Sequence, residues 1–302
     1  MSPRVRQLLL NTRAQGARSE PVAEVAARPS PPGGARNVVV VVLDSLRFDN
    51  AMAAGMANTA RLGAIERRWS YASWTAPSHF NLLTGLLPHT SPPQVYASEY
   101  YKADFSRYSD RLGVPDVDFA AMLPQLWLPS YLRNVLGYRT CALVSMPVLN
   151  PDTPINRDFD EYAQMASHND LAGMVERVSF DPDRPTFWML NVGETHYPYA
   201  LPGDDLAEFP RISGVHGVLK RADETPGLFG AEALERLRAR QVRAASYSDG
   251  LIGALYDVVP PRTWIIVTSD HGELFGEGGY FGHGPIAHDK VLEVPFVEGT
   301  IR

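Results

Sequence analysis

Residues 37–43 read NVVVVVL, a continuous run of β-branched residues that ends on a leucine. A strand with one solvated face alternates apolar and polar residues, and this run does not alternate. It therefore predicts a strand buried on both faces, as in a parallel sheet that helices cover on both sides.

The rest of the chain alternates apolar runs with helix-forming segments. Further strands are predicted over residues 140–144, 185–193, 262–270 and 291–299. Helices are predicted around 59–68, from Pro77 onward, within 123–137 with Gly137 as the stop signal, and over 230–259. Strands that alternate with helices indicate an α/β fold, a three-layer α/β/α sandwich with a mostly parallel central sheet.

The first part of the chain differs in composition. Residues 1–36 are rich in Ala, Pro, Gly and Arg, and they carry six arginines against two glutamates. Because no apolar period is sustained there, we predict a flexible basic N-terminal arm over 1–36 and a single folded domain over 37–302.

Composition excludes several classes of protein. The net charge is −6, so the chain lacks the basic footprint that nucleic acid requires. A single cysteine rules out an internal disulfide. No apolar run approaches the roughly 18 residues of a membrane span, so we expect no span and a cytoplasmic location.

Acid, imidazole and hydroxyl groups collect where predicted strands end. Asp44 and Asp270 each stand at the end of a buried strand, and ligands in open α/β sheets gather beyond the carboxyl ends of strands. We therefore expect both carboxylates at one edge of the sheet, with His271 and His283 beside them. Carboxylates with imidazoles are a ligand set suited to Zn²⁺ or Mn²⁺.

Each of these residues alone has a simpler explanation. An aspartate after a strand commonly caps the next helix, and SDHG (269–272) is also a turn sequence. Thr75 precedes Ala76 and Pro77, and since proline favours the first helical turn, Thr75 fits an N-cap as well as a nucleophile. The combination of these residues favours a metal site.

Several motifs occur together in an order that resembles a known family. They are VVLDSLR (41–47), TAPSHFNLLTG (75–85), ETHYPY (194–199), YSDGLIGAL (247–255) and VTSDHGELFGEGGYFGHG (267–284). In this order the chain resembles the alkaline phosphatase superfamily, in its sulfatase-like branch. The last segment is most similar to the catalytic domains of phosphoethanolamine transferases and lipoteichoic acid synthases. The resemblance covers about residues 37–298 and implies an alkaline-phosphatase-like fold.

The resemblance also implies roles for individual residues. Asp44, Asp270 and His271 would bind the catalytic metal, and Thr75 would be the nucleophile and a further metal contact. His196 and His283 would act in catalysis by contacting the transferred group or a second metal. Glu273 is expected to orient His271. Residues expected to contact the substrate are His79, His196, His283, Ser45, Glu194 and Lys290.

Three departures from the sulfatase pattern narrow the expected chemistry. Thr75 stands where sulfatases have the Cys or Ser that becomes formylglycine, so no formylglycine is expected. His79 replaces the usual arginine, and Ser45 replaces the second aspartate of a calcium-type site. We therefore predict a hydrolase or transferase that depends on one or two divalent ions, Zn²⁺ or Mn²⁺, and acts on a phosphate ester through a covalent Thr75 intermediate.

Other readings stay open at this point. The same scaffold could transfer or hydrolyse a sulfuryl, sulfamoyl or phosphonyl group, or the chain could be a non-catalytic metal-binding homologue. The expected partner is a small-molecule phosphate or similar tetrahedral anion ester, and a homodimer is left open. Residues 92–123 and 201–230 match no motif of the family, and we expect them to form lids or a dimer surface.

Overall fold

The computed structural model describes residues 28–90, 97–205, 220–221 and 230–301, with no side-chain placement for 97–100. Two sheets are present in this part of the chain. Their strands are β1 (Val38–Leu43), β2 (Glu66–Trp69), β3 (Arg139–Val144), β4 (Glu161–Gln164), β5 (Thr186–Val192), β6 (Lys220–Arg221), β7 (Trp264–Thr268), β8 (Leu274–Phe275), β9 (Tyr280–Gly282) and β10 (Glu293–Thr300).

The larger sheet has seven strands in the order β2-β10-β7-β1-β5-β3-β4. The run that opens the sequence analysis lies at its centre, because β1 pairs in parallel with β5 on one side and with β7 on the other. The pairings of β3 with β5 and β4 are parallel too. Only β10 pairs antiparallel within this sheet, with β7 and β2. The mostly parallel central sheet is therefore confirmed.

Helices cover both faces of this sheet. The α-helices are α1 (Phe48–Ala54), α2 (Thr75–Leu83), α3 (Ala97–Ser106), α4 (Tyr108–Leu112), α5 (Phe119–Met122), α6 (Leu128–Asn134), α7 (Leu171–Arg177), α8 (Ala231–Val258) and α9 (Asp289–Leu292). Short 3₁₀ turns lie at Thr59–Arg61, Pro147–Leu149, Pro154–Asn156 and Glu277–Gly279.

Successive valines of β1 point to opposite faces, and each face has its own apolar core. Val38, Val40 and Val42 pack with side chains of α2, α4 and α6. Val39 and Val41 pack with side chains of α1, α7 and α8. Because a strand alternates its side chains across the sheet, one β-branched run serves both cores. The three layers expected from the sequence are thus present.

The helix predicted around 59–68 is wrong. Thr59–Arg61 forms only a 3₁₀ turn, and Glu66–Trp69 is strand β2, which pairs antiparallel with β10. Arg68 is buried in this strand, with its guanidinium 3.5 Å from the centre of the Phe296 ring. Pairing with a neighbouring strand has overridden the local helical preference. The helix that follows β1 is α1.

Two predicted element boundaries shift. The helix expected from Pro77 begins at Thr75, with Trp74 in extended conformation as its N-cap residue. Thr75 is therefore the first helical residue and not the cap. The last strand, β10, begins at Glu293, two residues later than predicted, because Asp289–Leu292 forms helix α9.

The second sheet contains an antiparallel hairpin, β8 and β9, which follows β7 in the chain. Its order is β6-β9-β8, and the turn between β8 and β9 contains Gly276 at φ 108° and Gly278 at φ 61°. Such left-handed backbone favours glycine. As a result His283, which follows β9, has its ring centre 4.2 Å from that of His271, which precedes β8. His271 and His283 therefore lie side by side.

Parts of the predicted arm and lids are described. Arg28 is ion-paired with Asp160, and the Arg36 guanidinium donates to the Asp110 carbonyl at 2.7 Å, so residues 28–36 lie against the domain. Residues 1–27 lie outside the described residues. Within 92–123, side chains from Phe105 to Met122 pack in the core beside α2 instead of forming a lid. Most of 201–230 is not described. Among the described helices, none is both long and apolar enough to cross a membrane.

Candidate metal and nucleophile site

Two carboxylates meet at the carboxyl ends of β1 and β7, as the sequence predicts. Asp44 and Asp270 follow these neighbouring strands, and both are buried. Together with His271 they offer ligand atoms that all lie within 4.8 Å of one another. Within the described residues this is the group of three acidic or imidazole side chains with the spacing of a metal site.

Ser45 links the two carboxylates. Its hydroxyl donates to Asp44 Oδ1 at 3.1 Å, and its backbone N–H donates to Asp270 Oδ1 at 3.1 Å. Ser45 has φ 62°, which few residues other than glycine adopt, and this turn directs the N–H toward the neighbouring strand end. The Gln241 amide on α8 donates to the Ser45 carbonyl at 2.9 Å and thereby holds the turn.

Asp44 is oriented by groups on β5 and the loop beyond it. The Asn191 amide donates to Asp44 Oδ2 at 2.9 Å. The Asn191 carbonyl oxygen in turn accepts from the N–H groups of Ser145 and Met146, so the amide cannot flip without losing both bonds. Thr195 donates to the Asp44 carbonyl at 2.8 Å. Asp44 Oδ1 is consequently the oxygen that faces the cluster.

Asp270 has one satisfied oxygen and one unsatisfied oxygen. Oδ1 accepts from the N–H groups of Ser45 and His271, whereas Oδ2 is buried without a hydrogen-bond partner. A buried carboxylate oxygen without a partner is costly, and a bound cation is one way to satisfy it. His271 Nε2 lies 3.4 Å from this oxygen.

The imidazole of His271 has the tautomer that a metal ligand needs. Its Nδ1 donates to the Gly272 carbonyl at 2.9 Å, and because a carbonyl only accepts, Nδ1 carries the proton. In the neutral ring Nε2 then holds the lone pair. Burial, with His283 nearby, lowers the pKa of His271 well below its usual value and so keeps the ring neutral.

The hydroxyl of Thr75 lies beside this cluster. Its Oγ1 is 3.3 Å from His271 Nε2 and 3.5 Å from Asp44 Oδ1. Thr75 is the first residue of α2, and the N–H groups of a first helical turn lack intrahelical partners. The loop before it is fixed by Ser73, which donates from its hydroxyl to the Gly284 carbonyl at 2.6 Å. The predicted nucleophile and the predicted ligands are therefore together.

His79 lies one turn along α2 and is fully buried. Its Nδ1 donates to the Thr75 carbonyl at 2.9 Å and is 3.6 Å from Asp270 Oδ2. Its Nε2 has no hydrogen-bond partner. Burial lowers the pKa of His79, while the charge of Asp44 opposes this shift. His79 was expected to contact substrate, and the structure places it beside the predicted ligands.

His283 lies beside His271, and His196 lies beside His283. Their ring centres are 5.4 Å apart, and both rings are buried. His196 Nδ1 donates to the Tyr197 carbonyl at 2.8 Å. Burial, together with His196, lowers the pKa of His283 to about 3. Glu273, expected to orient His271, instead has Oε1 3.2 Å from His283 Nδ1.

The two buried aspartates have opposite pKa shifts. Burial and the neighbouring charge of Asp44 raise the pKa of Asp270 well above its usual value. Burial also opposes ionisation of Asp44, but the surrounding imidazoles and the hydrogen bond from Asn191 outweigh it and lower the pKa of that carboxyl. A divalent cation would relieve the repulsion between the carboxylates. The unpaired Asp270 Oδ2 and the lone pair on His271 Nε2 therefore fit a bound metal.

Two residues predicted to contact substrate have other described partners. Glu194 Oε1 accepts from the Leu171 N–H at the start of α7 at 2.7 Å. Lys290 Nζ lies 3.0 Å from Asp49 Oδ2, a carboxylate that also binds Arg47. Glu194 lies in the loop after β5 and Lys290 in helix α9, and no described contact links either side chain to the three predicted ligands. Adjacency to a motif in the sequence suggested these roles, but their side chains point to other partners.

Sequence reasoning missed Gln241 and the partner of Tyr199. Gln241 lies in the middle of α8, far along the chain from the motifs at the strand ends. Tyr199, which belongs to the ETHYPY motif, donates from its hydroxyl to Glu273. A polar residue at a helical position that the apolar period assigns to the core was the one available signal for Gln241.

Comparison with known proteins agrees with this arrangement. Residues 36–297 match the protein family described as Sulfatase, and this match spans most of the chain. The chain belongs to the sulfatase family. It is therefore an enzyme of the sulfatase-like kind within the alkaline phosphatase superfamily. No curated protein is significantly similar to it in sequence.

Solved structures share the fold at low sequence identity. The zinc complex of the C-terminal periplasmic domain of EcEptC from Escherichia coli aligns with TM-score 0.51 and 17% identity over 91% of this chain and 77% of that chain. Phosphonate monoester hydrolase SpPMH from Silicibacter pomeroyi aligns with TM-score 0.53 and 18% identity over 88% and 68%. Lipooligosaccharide phosphoethanolamine transferase A from Neisseria meningitidis, an integral membrane protein, aligns with TM-score 0.52 and 16% identity over 90% and 49%.

Proposed function

We propose that this sulfatase-family protein transfers or hydrolyses a phosphoryl group of a small-molecule ester, with Thr75 as the nucleophile. The observation that carries the proposal is the position of Thr75 Oγ1, 3.3 Å from His271 Nε2 and 3.5 Å from Asp44 Oδ1. A threonine hydroxyl is a poor nucleophile at neutral pH unless a metal or a base activates it. Here the residues that would hold a metal, Asp44 and His271, adjoin the Thr75 hydroxyl.

Asp44, Asp270 and His271 would hold the divalent ion, and Thr75 would complete the set. Zn²⁺ or Mn²⁺ suits two carboxylates and one imidazole, and the Escherichia coli structure is described as a complex with Zn. When bound, such an ion would lower the pKa of the adjacent hydroxyl and neutralise charge on a phosphoryl oxygen.

The surroundings of Thr75 favour an anionic substrate. Helix α2 is nine residues long, and its N-terminus carries partial positive charge and presents the N–H groups of the first turn. His283 lies beside His271, with His196 next to it, and both would contact non-bridging oxygens or pass a proton to the leaving alcohol. Burial of the whole cluster strengthens each of these interactions, because less water screens them.

The proposed reaction has two steps. The Thr75 hydroxyl loses its proton and forms an Oγ–P bond as the ester P–O bond breaks, and the departing alcohol takes up a proton. Water or an acceptor alcohol then attacks the phosphorus and loses a proton, while the Oγ–P bond breaks and Thr75 Oγ1 takes up a proton. Water makes the protein a hydrolase, whereas an acceptor alcohol makes it a transferase. We place the enzyme in the cytoplasm as part of this proposal.

Phosphonyl transfer is a second candidate, because the Silicibacter pomeroyi neighbour is a phosphonate monoester hydrolase. Sulfuryl transfer is a third, since the family is described as Sulfatase. These groups are tetrahedral anions of similar size, and the same metal site suits them all. The threonine argues against sulfatase chemistry that depends on formylglycine, because threonine stands where that residue is made.

The test is a comparison of aryl phosphate, phosphonate and sulfate esters with the zinc- or manganese-loaded protein. We expect the highest kcat/KM on a phosphate ester, near-complete loss in Thr75→Ala and partial retention in Thr75→Ser. Faster turnover of the phosphonate or sulfate ester would favour the other candidates. Full activity of Thr75→Ala would contradict the nucleophile, and inactivity on every ester would contradict the proposed substrate class.

A further inference from the structure

Glu273 occupies a buried position between two segments of the candidate site. It is wholly buried and two residues beyond His271. Its Oε2 accepts a hydrogen bond from the Tyr199 hydroxyl, and its Oε1 lies 3.2 Å from His283 Nδ1. Each carboxylate oxygen therefore has its own partner, and the two partners come from different loops.

Tyr199 is held in a conformation that delivers its hydroxyl to Glu273. Its φ is 60°, which few residues other than glycine adopt. The backbone N–H of Tyr199 donates to the His196 carbonyl at 2.8 Å. The ring packs against Tyr197 and Phe275 at centre distances of 5.8 Å for each. Strained backbone persists where the surroundings fix it, so Tyr199 is a firm anchor.

The contact with Glu273 determines which nitrogen of His283 can serve a substrate. Nδ1 is engaged by the carboxylate, so Nε2 is the nitrogen that remains. The ring centre of His283 is 4.2 Å from that of His271 and 5.4 Å from that of His196. Turning the ring over would exchange the two nitrogens and break the contact with Glu273.

We propose that Glu273 is a positioning residue for His283, and that Tyr199 in turn holds Glu273. This inference rests on the proposed function, in which His283 contacts the transferred group. The Tyr199–Glu273–His283 chain links the loop of His196 to that of His283, so both imidazoles keep a fixed relation to Thr75. Partners that orient a group at a metal site commonly contribute 10–100-fold, about the effect expected here.

The experiment is a double-mutant cycle with Glu273→Ala and His283→Ala in the zinc-loaded full chain, using bis(4-nitrophenyl) phosphate as substrate. We expect Glu273→Ala to lower kcat by about 10–100-fold in the native background. In the His283→Ala background the same change should lower kcat by less than about twofold, because the group it acts through is gone. An equal loss in both backgrounds would overturn the proposal.

If Glu273→Ala does not fold, Glu273→Gln serves in its place, because glutamine keeps the shape of the glutamate side chain. It retains one acceptor oxygen in place of two, so we expect a smaller loss that again vanishes beside His283→Ala. Glu277→Gln is the matched control, since Glu277 pairs with Arg47 and does not contact His283. It should change kcat by less than about twofold. No loss in either Glu273 variant would also overturn the proposal.

A readout that needs no turnover separates this inference from the proposed function. We expect the ring nitrogen-15 signals of His283 to shift in Glu273→Gln and to stay unchanged in Glu277→Gln. Unchanged signals in Glu273→Gln would contradict the positioning role. Full activity of Thr75→Ala in the same assay would instead contradict the proposed nucleophile.

Discussion

At the scale of single residues, the site is marked by polar atoms that the fold buries but does not pair. Asp270 Oδ2 and His79 Nε2 both lack hydrogen-bond partners, and the histidine side chain lies 3.6 Å from that oxygen. Ser45 and Asn191 nearby do have hydrogen-bond partners, namely Asp270 and Asp44. Folded proteins rarely leave such atoms unsatisfied, and a bound cation accounts for the carboxylate.

A prediction at this scale concerns Glu194. Burial raises the pKa of its carboxyl to about 7, above the unfolded value near about 4.3. Between those two values the folded state binds more protons than the unfolded state, so the free energy of unfolding falls as pH rises. Glu194 should contribute about 3 kcal/mol to this fall, and Glu194→Gln should lack that contribution.

Denaturant unfolding of both proteins between about pH 4 and about pH 8 checks this, since the window spans both pKa values. Glu176→Gln is the control, because Glu176 is exposed on the neighbouring helix α7. It should leave the native pH profile unchanged. A Glu194→Gln profile that falls as steeply as the native one would show that another group is responsible.

At the scale of elements, helix α8 does more than cover the sheet. Gln241 on its buried face donates to the carbonyls of Ser45 and Thr195 and accepts from the Asn50 amide. It thereby joins the turn after β1, the loop after β5 and helix α1. The predicted metal ligands lie at the strand ends, but the turns that follow these strands are held by a side chain of helix α8.

We predict that Gln241→Leu destabilises the protein and lowers metal affinity. The change leaves two buried carbonyls and one amide without partners, at a cost of about 2–4 kcal/mol in the free energy of unfolding. Zinc affinity should fall because the Ser45 turn, which holds Asp270 Oδ1, is released. Ser246→Ala, on the exposed face of the same helix, should change neither quantity. Equal zinc affinity in Gln241→Leu and native protein would contradict the role of this helix.

The elements that could be predicted are those with a strong pattern of their own. The valine run of β1 and the long amphipathic helix α8 were predicted correctly because burial alone specifies them. Strand β2 was predicted as helix because it acquires its structure by pairing with β10. The two-residue strands β6 and β8 are too short to carry a period, so no pattern could reveal them.

At the scale of the whole molecule, the site is assembled from segments far apart in the chain. The rule that ligands lie beyond the carboxyl ends of strands was sufficient to predict that Asp44 and Asp270 lie close together. The glycine-rich turn was sufficient to return His283 to His271. Contacts such as Tyr199 with Glu273 depend on how layers pack in three dimensions, and sequence periodicity does not specify them.

Because the ligands join the ends of two central strands, metal binding should stabilise the whole domain. A ligand that binds only the folded state adds about 2.7 kcal/mol at a concentration of 100 times its Kd. We expect Zn²⁺ or Mn²⁺ to raise the melting temperature of the native protein and chelation to lower it.

Asp270→Asn should abolish most of the metal-dependent shift in melting temperature, since it removes the charge of the unpaired carboxylate oxygen. Asp257→Asn, on an exposed position of α8, should keep the full shift. The measurement is thermal unfolding of each variant with and without added metal. An unchanged shift in Asp270→Asn would place the metal elsewhere.

The central claim is that Thr75 attacks the phosphorus of the substrate. The most direct measurement is mass spectrometry of the peptide containing Thr75 after rapid acid quenching of the zinc-loaded protein during turnover of a phosphate ester. The account predicts a substrate-derived phosphoryl adduct on Thr75, retained on the serine of Thr75→Ser and absent from Thr75→Ala together with turnover. Turnover by Thr75→Ala at the native rate, with no adduct on the native protein, would contradict it.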